Sequence, residues 1–97
     1  MGQHIEVEST RVVNDSVMVT TNRSFTGADG EGFTSQDEAA DIDTFGAKLS
    51  IDLFESDDEI SRVHVASNVV VVTRNGGWSD EGTDGISKVI TDFFLFY

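Results

Sequence analysis

The chain contains no cysteine, so it can form neither a disulfide bond nor a thiolate metal site, and it has no thiol nucleophile. Lysine is scarce as well, limited to Lys48 and Lys88. No apolar run approaches the roughly 20 residues that span a membrane, and the first residues lack the basic and apolar segments of a secretory signal. These absences favour a cytoplasmic protein without a cofactor and without membrane contact.

Positive charge is also in short supply, because 18 Asp and Glu residues face 6 Lys and Arg, for a formal net charge of −12. Such a surface repels phosphate backbones and anionic lipids, which argues against nucleic-acid or membrane binding. A functional interpretation is a basic partner. The alternative is adaptation to high salt, in which an acidic surface stays soluble while its self-repulsion is screened. The acids are spread along the whole chain, which favours a halophilic source.

With 97 residues, the sequence predicts one domain over residues 1–97, long enough to bury a two-layer core without staples. Alternating or continuous apolar runs predict four strands. Asn14 lies in a predicted turn between the first two, and Asn75 follows the last. The predicted strands cover residues 5–10, 17–21, 60–66 and 69–73.

Helical spacing of apolar residues predicts a helix over residues 36–55, with Ser35 and Glu38 matching a capping box. The helix is expected to break near residues 43–44, where Thr44 could cap a second piece. A last helix is predicted from Ser79 to the end, on an apolar stripe that includes Ile86 and Ile90. The predicted fold is α+β: a two-layer ββαββα arrangement, with a four-stranded, mainly antiparallel sheet and both helices packed on one face.

Searches for catalytic and metal-binding patterns fail. Residues 27–32 predict a flexible, glycine-rich loop, but no Gly-Lys-Ser/Thr ending follows as in a P-loop, and calcium-loop spacing fails at Phe33 and Ala40. His4 and His64 are far apart and have no metal-ligand partners at the required spacing. The sequence therefore predicts no catalytic residues, no metal site and no enzymatic activity.

One face of the predicted sheet should be left open to solvent. Arg62 and His64 should lie on the sheet face opposite Val63 and Val65, so they would line an open face beside one valine pair of the next strand. Arg74 would continue that strand. Trp78 follows in the loop, where it could anchor a partner or cover the edge of the core. These four residues predict a docking surface for a protein or peptide, whereas the alternative is that valine is simply a good strand former on an exposed face.

Residues 33–97 resemble the N-terminal domain of Nfu/NifU-type scaffold proteins. The similarity lies in the order of segments, and it is carried by Phe33-Thr-Ser-Gln-Asp-Glu-Ala-Ala40, Gly46-Ala-Lys-Leu49, Leu53-Phe-Glu55, Ile60-Ser-Arg-Val63, Asn68-Val-Val-Val-Val-Thr-Arg74, Trp78 and Ile90-Thr-Asp-Phe-Phe94. The tryptophan and the Asp-Phe-Phe ending are its most specific parts. The chain departs from the family at residues 9–14, where a Thr-Pro-Asn-Pro segment is usual, and at residues 44–47, where the family has Ser-Pro-Leu-Ala.

This resemblance implies an accessory domain that assists iron–sulfur cluster assembly through protein contacts. In the family the domain is often fused to a second one whose Cys-x-x-Cys holds a cluster; this chain has no cysteine and could not hold a cluster by thiolates. The alternative is a general protein- or peptide-binding module unrelated to iron that uses the open sheet face.

The acidity generates a prediction about salt. Lowering ionic strength from about 1 M to about 0.01 M lengthens the Debye screening length from about 3 Å to about 30 Å, so the carboxylates should repel one another more strongly in dilute buffer. We expect the chemical unfolding midpoint, followed by circular dichroism, to fall as salt is withdrawn. An unchanged midpoint in dilute buffer would contradict the salt-adaptation interpretation.

Overall fold

A computed structural model describes residues 6–22, 30–42, 44–66 and 68–96. These residues form five strands and three helices. In chain order the elements are β1 (Val7–Val13), β2 (Ser16–Thr21), β3 (Glu31–Phe33), α1 (Gln36–Ala40), α2 (Phe45–Ser56), β4 (Ile60–Ala66), β5 (Val69–Arg74) and α3 (Asp80–Phe96).

All strand pairs in the sheet are antiparallel, in the order β1-β2-β5-β4-β3. Two hairpins, β1-β2 and β4-β5, are joined through the β2-β5 pair, and β3 is added at the far edge. The α+β class and the antiparallel sheet are therefore as predicted. The four-stranded ββαββα order was wrong, because residues 31–33 form a strand and the first helical region consists of two separate helices.

The short strand β3 was predicted as part of a flexible loop over residues 27–32. Glu31 and Gly32 instead pair with Val65 and His64 of β4, while residues 27–29 lie outside the described residues. Three residues with a single buried apolar side chain, Phe33, are too few to show a period of two. Only pairing with β4 makes them a strand.

The predicted helix caps are confirmed. The Ser35 hydroxyl accepts from the Glu38 backbone N–H at 3.2 Å, and the Thr44 hydroxyl accepts from the Ala47 N–H at 3.2 Å. The Glu38 carboxylate, however, accepts from the backbone N–H of Thr34 at 3.0 Å, one residue earlier than in a capping box. Both capping hydroxyls satisfy N–H groups that a helix start leaves without partners, so α1 and α2 begin where the sequence indicates.

Other boundaries shift by a few residues. The first strand runs to Val13, beyond the predicted end at residue 10, and its predicted start at Ile5 lies outside the described residues. The last helix begins at Asp80, with the Ser79 hydroxyl accepting from the Gly82 N–H at 3.1 Å as its cap. Ile42, which lies within the predicted helix over residues 36–55, is 42% exposed after the end of α1.

The main core lies between one face of the sheet and the helices α2 and α3. Its buried members come from three strands and two helices: Val17, Val19, Leu49, Leu53, Ile60, Val63, Val65, Val70, Val72, Ile86 and Ile90. A smaller cluster of Phe33, Ala39 and Ala47 joins β3 to α1 and α2. Because the described helices cover one face only, the opposite face of the sheet is left open.

The two faces of β5 give a matched test of this layering. Val72 is fully buried in the core and Val71 is half-buried on the other face. Val72→Ala should lower the free energy of unfolding by about 2 kcal/mol, from lost burial and the cavity left behind. Val71→Ala should cost less than about 1 kcal/mol, which is the span of strand propensity. Equal losses in denaturant titrations would show that both sheet faces are covered.

Candidate binding surface on the open sheet face

The open face is defined by the strand positions that alternate with the core positions. Since paired residues on neighbouring strands share a face, the register groups these positions into three rows. They are the central row of Arg11, Met18, Val71, His64 and Gly32; a second row of Val13, Ser16, Thr73 and Arg62; and a third row of Ser9, Thr20, Val69 and Ala66.

The central row crosses all five strands and has an apolar middle. Met18 and Val71 are direct cross-strand neighbours, with Arg11 on one side and His64 on the other. Met18 is 41% exposed, a large exposed fraction for a residue in the second strand of a sheet. Methionine adapts its shape readily to a contacting surface.

The second row adds hydroxyl groups and another cation. The Ser16 and Thr73 hydroxyls form a hydrogen bond of 2.8 Å across β2 and β5. Together with Arg62, His64 and Val71 they line an open depression of about 300 Å³. That volume is at the lower limit of small-molecule pockets and lies on a sheet surface, a shape suited to a protruding side chain of another protein.

His64 lies close to the backbone of β3, where two glycines leave room for it. A Cβ atom on Gly32 would lie 3.0 Å from the imidazole Nδ1, and one on Gly30 would lie 2.8 Å from the Cβ of Ala66. Gly30 also has φ of +73°, which other residues rarely adopt. The glycines are thus required for the close approach of β3 to β4, a role that the sequence pattern, interpreted as a flexible loop, did not reveal.

The open face carries no acidic residue at any of its paired positions, in a protein of net charge −12. Within the described strands the acids are Glu8, which lies at the bulge of β1, and Glu31, whose carboxylate accepts from the Thr44 hydroxyl on the helix side at 2.7 Å. Among the described residues, Arg11 and Arg62 form no ion pair. The cations of this face are therefore available for contact.

Arg74 and Trp78 lie elsewhere, in a second group at the end of β5. The Arg74 guanidinium donates from Nε to Asp57 Oδ2 at 2.6 Å and from one terminal nitrogen to the Gly77 carbonyl at 3.0 Å, and it lies 6.0 Å from the centre of the Trp78 ring. Trp78 donates from Nε1 to the Val72 carbonyl at 3.1 Å and packs against the main core. Its side chain thus covers the edge of the core, the second of the two roles considered for it.

Of the four residues predicted to form a docking surface, the structure therefore brings Arg62 and His64 together on the open face. It places Arg74 and Trp78 together in the second group, where contacts within the fold occupy both side chains. Sequence reasoning missed Arg11 and Met18. Met18 lies in a predicted strand, and Arg11 lies one residue beyond the predicted end of another. Their alignment in one row with Val71, however, depends on the register of three strands.

Among the described residues, the titratable side chains show one raised pKa and no metal-binding cluster. No group of three His, Asp or Glu side chains there could hold a metal ion. Partial burial, with a smaller effect of the nearby Glu55, raises the pKa of Asp52, but Asp52 is exposed on α2 and lines none of the depressions described. His4 lies outside the described residues. None of the described helices is long and apolar enough to cross a membrane.

Comparison of the chain with protein-family models, curated proteins and solved structures finds no match.

The Asp57–Arg74 pair predicts a pH dependence. The side-chain hydrogen bond from Arg74, helped by the Glu59 backbone N–H, lowers the pKa of Asp57. Asp57 therefore stabilises the fold above its unfolded pKa of about 4, and this contribution is lost as pH falls through the lower folded pKa. At pH 7, Asp57→Asn should lower the free energy of unfolding by about 1 kcal/mol, with the loss vanishing at acid pH.

Asp92→Asn is the matched control, because it removes the same charge from the exposed Lys88–Asp92 pair, in which Lys88 is 75% exposed. Its unfolding free energy should stay close to that of the wild type. Equal effects of the two substitutions in denaturant titrations at several pH values would contradict a specific role for Asp57.

Proposed function

We propose that this protein is a non-catalytic, protein-binding accessory domain that assists iron–sulfur cluster assembly through protein contacts, and that it docks through the open face. The observation that carries the proposal is the composition of that face: a partly apolar middle, two arginines that form no ion pair among the described residues, and no acid at its paired positions on a strongly acidic protein.

Several properties of the open face suit protein recognition. Its apolar middle could be buried by a partner, while the hydroxyl pair of Ser16 and Thr73 could exchange hydrogen bonds at the rim. Methionine and arginine are both enriched at protein interfaces. Moreover, the strands that form this face pack against the core on their other side, so binding would require little ordering of the backbone.

The iron–sulfur part of the proposal is supported by the resemblance of residues 33–97 to the N-terminal domain of Nfu/NifU-type scaffold proteins. The segments that carry the resemblance lie mainly in α1, α2, the paired strands β4 and β5, and the last helix α3. Without cysteine, the chain would act by contacting cysteine-bearing proteins rather than by holding a cluster through thiolates.

Residues 9–14, where that family usually has a Thr-Pro-Asn-Pro segment, bear on where docking occurs. Residues 9–14 here continue β1 as a paired edge strand and enter its turn. A proline lacks the N–H that such a ladder uses. Arg11 and Val13, which lie in this segment, are thus additions to the open face that the resemblance does not imply.

The test is affinity capture from a lysate of the source organism at molar salt, with quantitative mass spectrometry. Wild-type protein should enrich cysteine-bearing iron–sulfur assembly proteins. A Met18→Ala/Arg62→Ala variant should lose at least about tenfold of that enrichment, since it removes an apolar contact and a cation from the open face. Lys88→Ala, which removes a cation from the exposed side of α3, should retain it.

Two results would contradict the proposal. Reproducible capture of other proteins without any assembly factor would rule out the iron–sulfur role and leave a general binding module. Full retention of assembly proteins by the folded double variant would place the docking surface elsewhere. An unchanged unfolding midpoint of each variant shows that the fold is intact.

A further inference from the structure

We propose that the open face binds a partner surface that presents an apolar side chain between two carboxylates, although the net charge of −12 would by itself select a basic partner. This inference rests on the proposed function, in which the open face docks a protein. It adds the chemistry of the partner.

Desolvation of the two arginines favours a partner that carries carboxylates. A partner that covers the apolar middle of the open face must also cover or closely approach Arg11 and Arg62, which are exposed and form no ion pair among the described residues. Burying a guanidinium without an acceptor is costly, and bringing a lysine beside it adds repulsion. Carboxylates are the partner groups that remove this cost, because they accept two parallel hydrogen bonds from arginine.

The spacing of the two arginines matches two carboxylates on either side of an apolar side chain. Arg11 on β1 and Arg62 on β4 are three strand spacings apart across the sheet, about 14 Å at about 4.8 Å each, and one row apart along the strands, about 7 Å. Their backbones are thus about 16 Å apart, and their long side chains shorten the gap that a partner must span. Met18 and Val71 occupy the two strands between them, in the row of Arg11 and next to that of Arg62. An extended peptide spans about 14 Å over four residues. Two Glu residues flanking a central Leu would therefore reach both arginines while the Leu meets the apolar middle.

Net charge and local charge act over different distances. The net charge of the protein acts at long range, and the screening length of the salt limits it to about 8 Å at physiological ionic strength and about 3 Å at 1 M. Net charge mainly affects association rates. Direct contacts between the docked surfaces are close enough to be screened much less. The local charge of the open face should therefore decide which partner stays bound, and increasingly so at high salt.

The experiment uses two synthetic nonapeptides with the central sequences Glu-Ser-Leu-Ser-Glu and Lys-Ser-Leu-Ser-Lys, titrated into isotopically labelled full-length protein at 1 M salt. The Glu peptide should shift the backbone amide resonances of Met18, Val71 and His64. It should bind at least about tenfold more tightly than the Lys peptide. Equal or tighter binding of the Lys peptide, or shifts confined to other surfaces, would overturn the inference.

A matched pair of variants tests the role of the arginine. Arg62→Glu should weaken binding of the Glu peptide at least about fivefold and strengthen that of the Lys peptide. Lys88→Glu makes the same change of charge on α3 and should leave both affinities within about twofold. If Arg62→Glu behaves like Lys88→Glu while its unfolding midpoint is unchanged, the acidic-partner inference is wrong.

Failure of this inference can be told apart from failure of the proposed function. If Met18→Ala abolishes capture of assembly proteins and Arg62→Glu does not, the open face docks proteins but does not select carboxylates. If the protein sediments as a dimer and Met18→Asp makes it monomeric, the occupant of the face is a second copy of the chain, and the inference is overturned.

Discussion

β5 occupies the middle of the sheet, and its four consecutive valines must serve two surfaces at once. Val70 and Val72 are fully buried against the helices, whereas Val69 and Val71 lie half-buried on the open face. A shift of one residue in its pairing would exchange these sets and move the apolar side chains of its neighbours as well. The registers of β2 and β4, and hence the positions of the core and of the open face, depend on this one strand.

Charge is distributed according to the same two-sided arrangement. Carboxylates lie on the described helices, in the connecting segments and at the rim of the sheet, while the paired positions of the open face carry arginine, histidine, hydroxyl and apolar side chains. An acidic protein can in this way remain soluble through most of its surface while it keeps one side free of like-charge repulsion. The Asp57–Arg74 pair contrasts with this arrangement, since that arginine is neutralised within the fold and helps to hold Trp78 against the core.

Features that depend on neighbours in the chain were predictable from the sequence. The caps at Ser35 and Thr44 need a hydroxyl within three residues of the N–H that it accepts, so local spacing suffices to locate them. The predicted bounds of β4 also match the structure. Val63 and Val65 alternate with Arg62 and His64 in the sequence, and buried positions alternate with more exposed ones in the same way in the structure. By contrast, β3 is a strand because β4 pairs with it, and three residues carry no period of their own. The close approach of Gly30 and Gly32 to His64 and Ala66 likewise involves residues more than 30 positions apart.

The sequence by itself determined the fold class, which is α+β with an antiparallel sheet. It also determined the limits of the helices near their caps, and the placement of Arg62 and His64 on the face away from the core. Hydrophobic period, capping chemistry and charge balance are local quantities, and they are written directly in the order of residues. Only the tertiary structure decided that Arg11 and Met18 join His64 in one row, and that Arg74 and Trp78 belong to a separate group. Strand order and register bring together side chains from distant parts of the chain, and no local pattern specifies which strands will be neighbours.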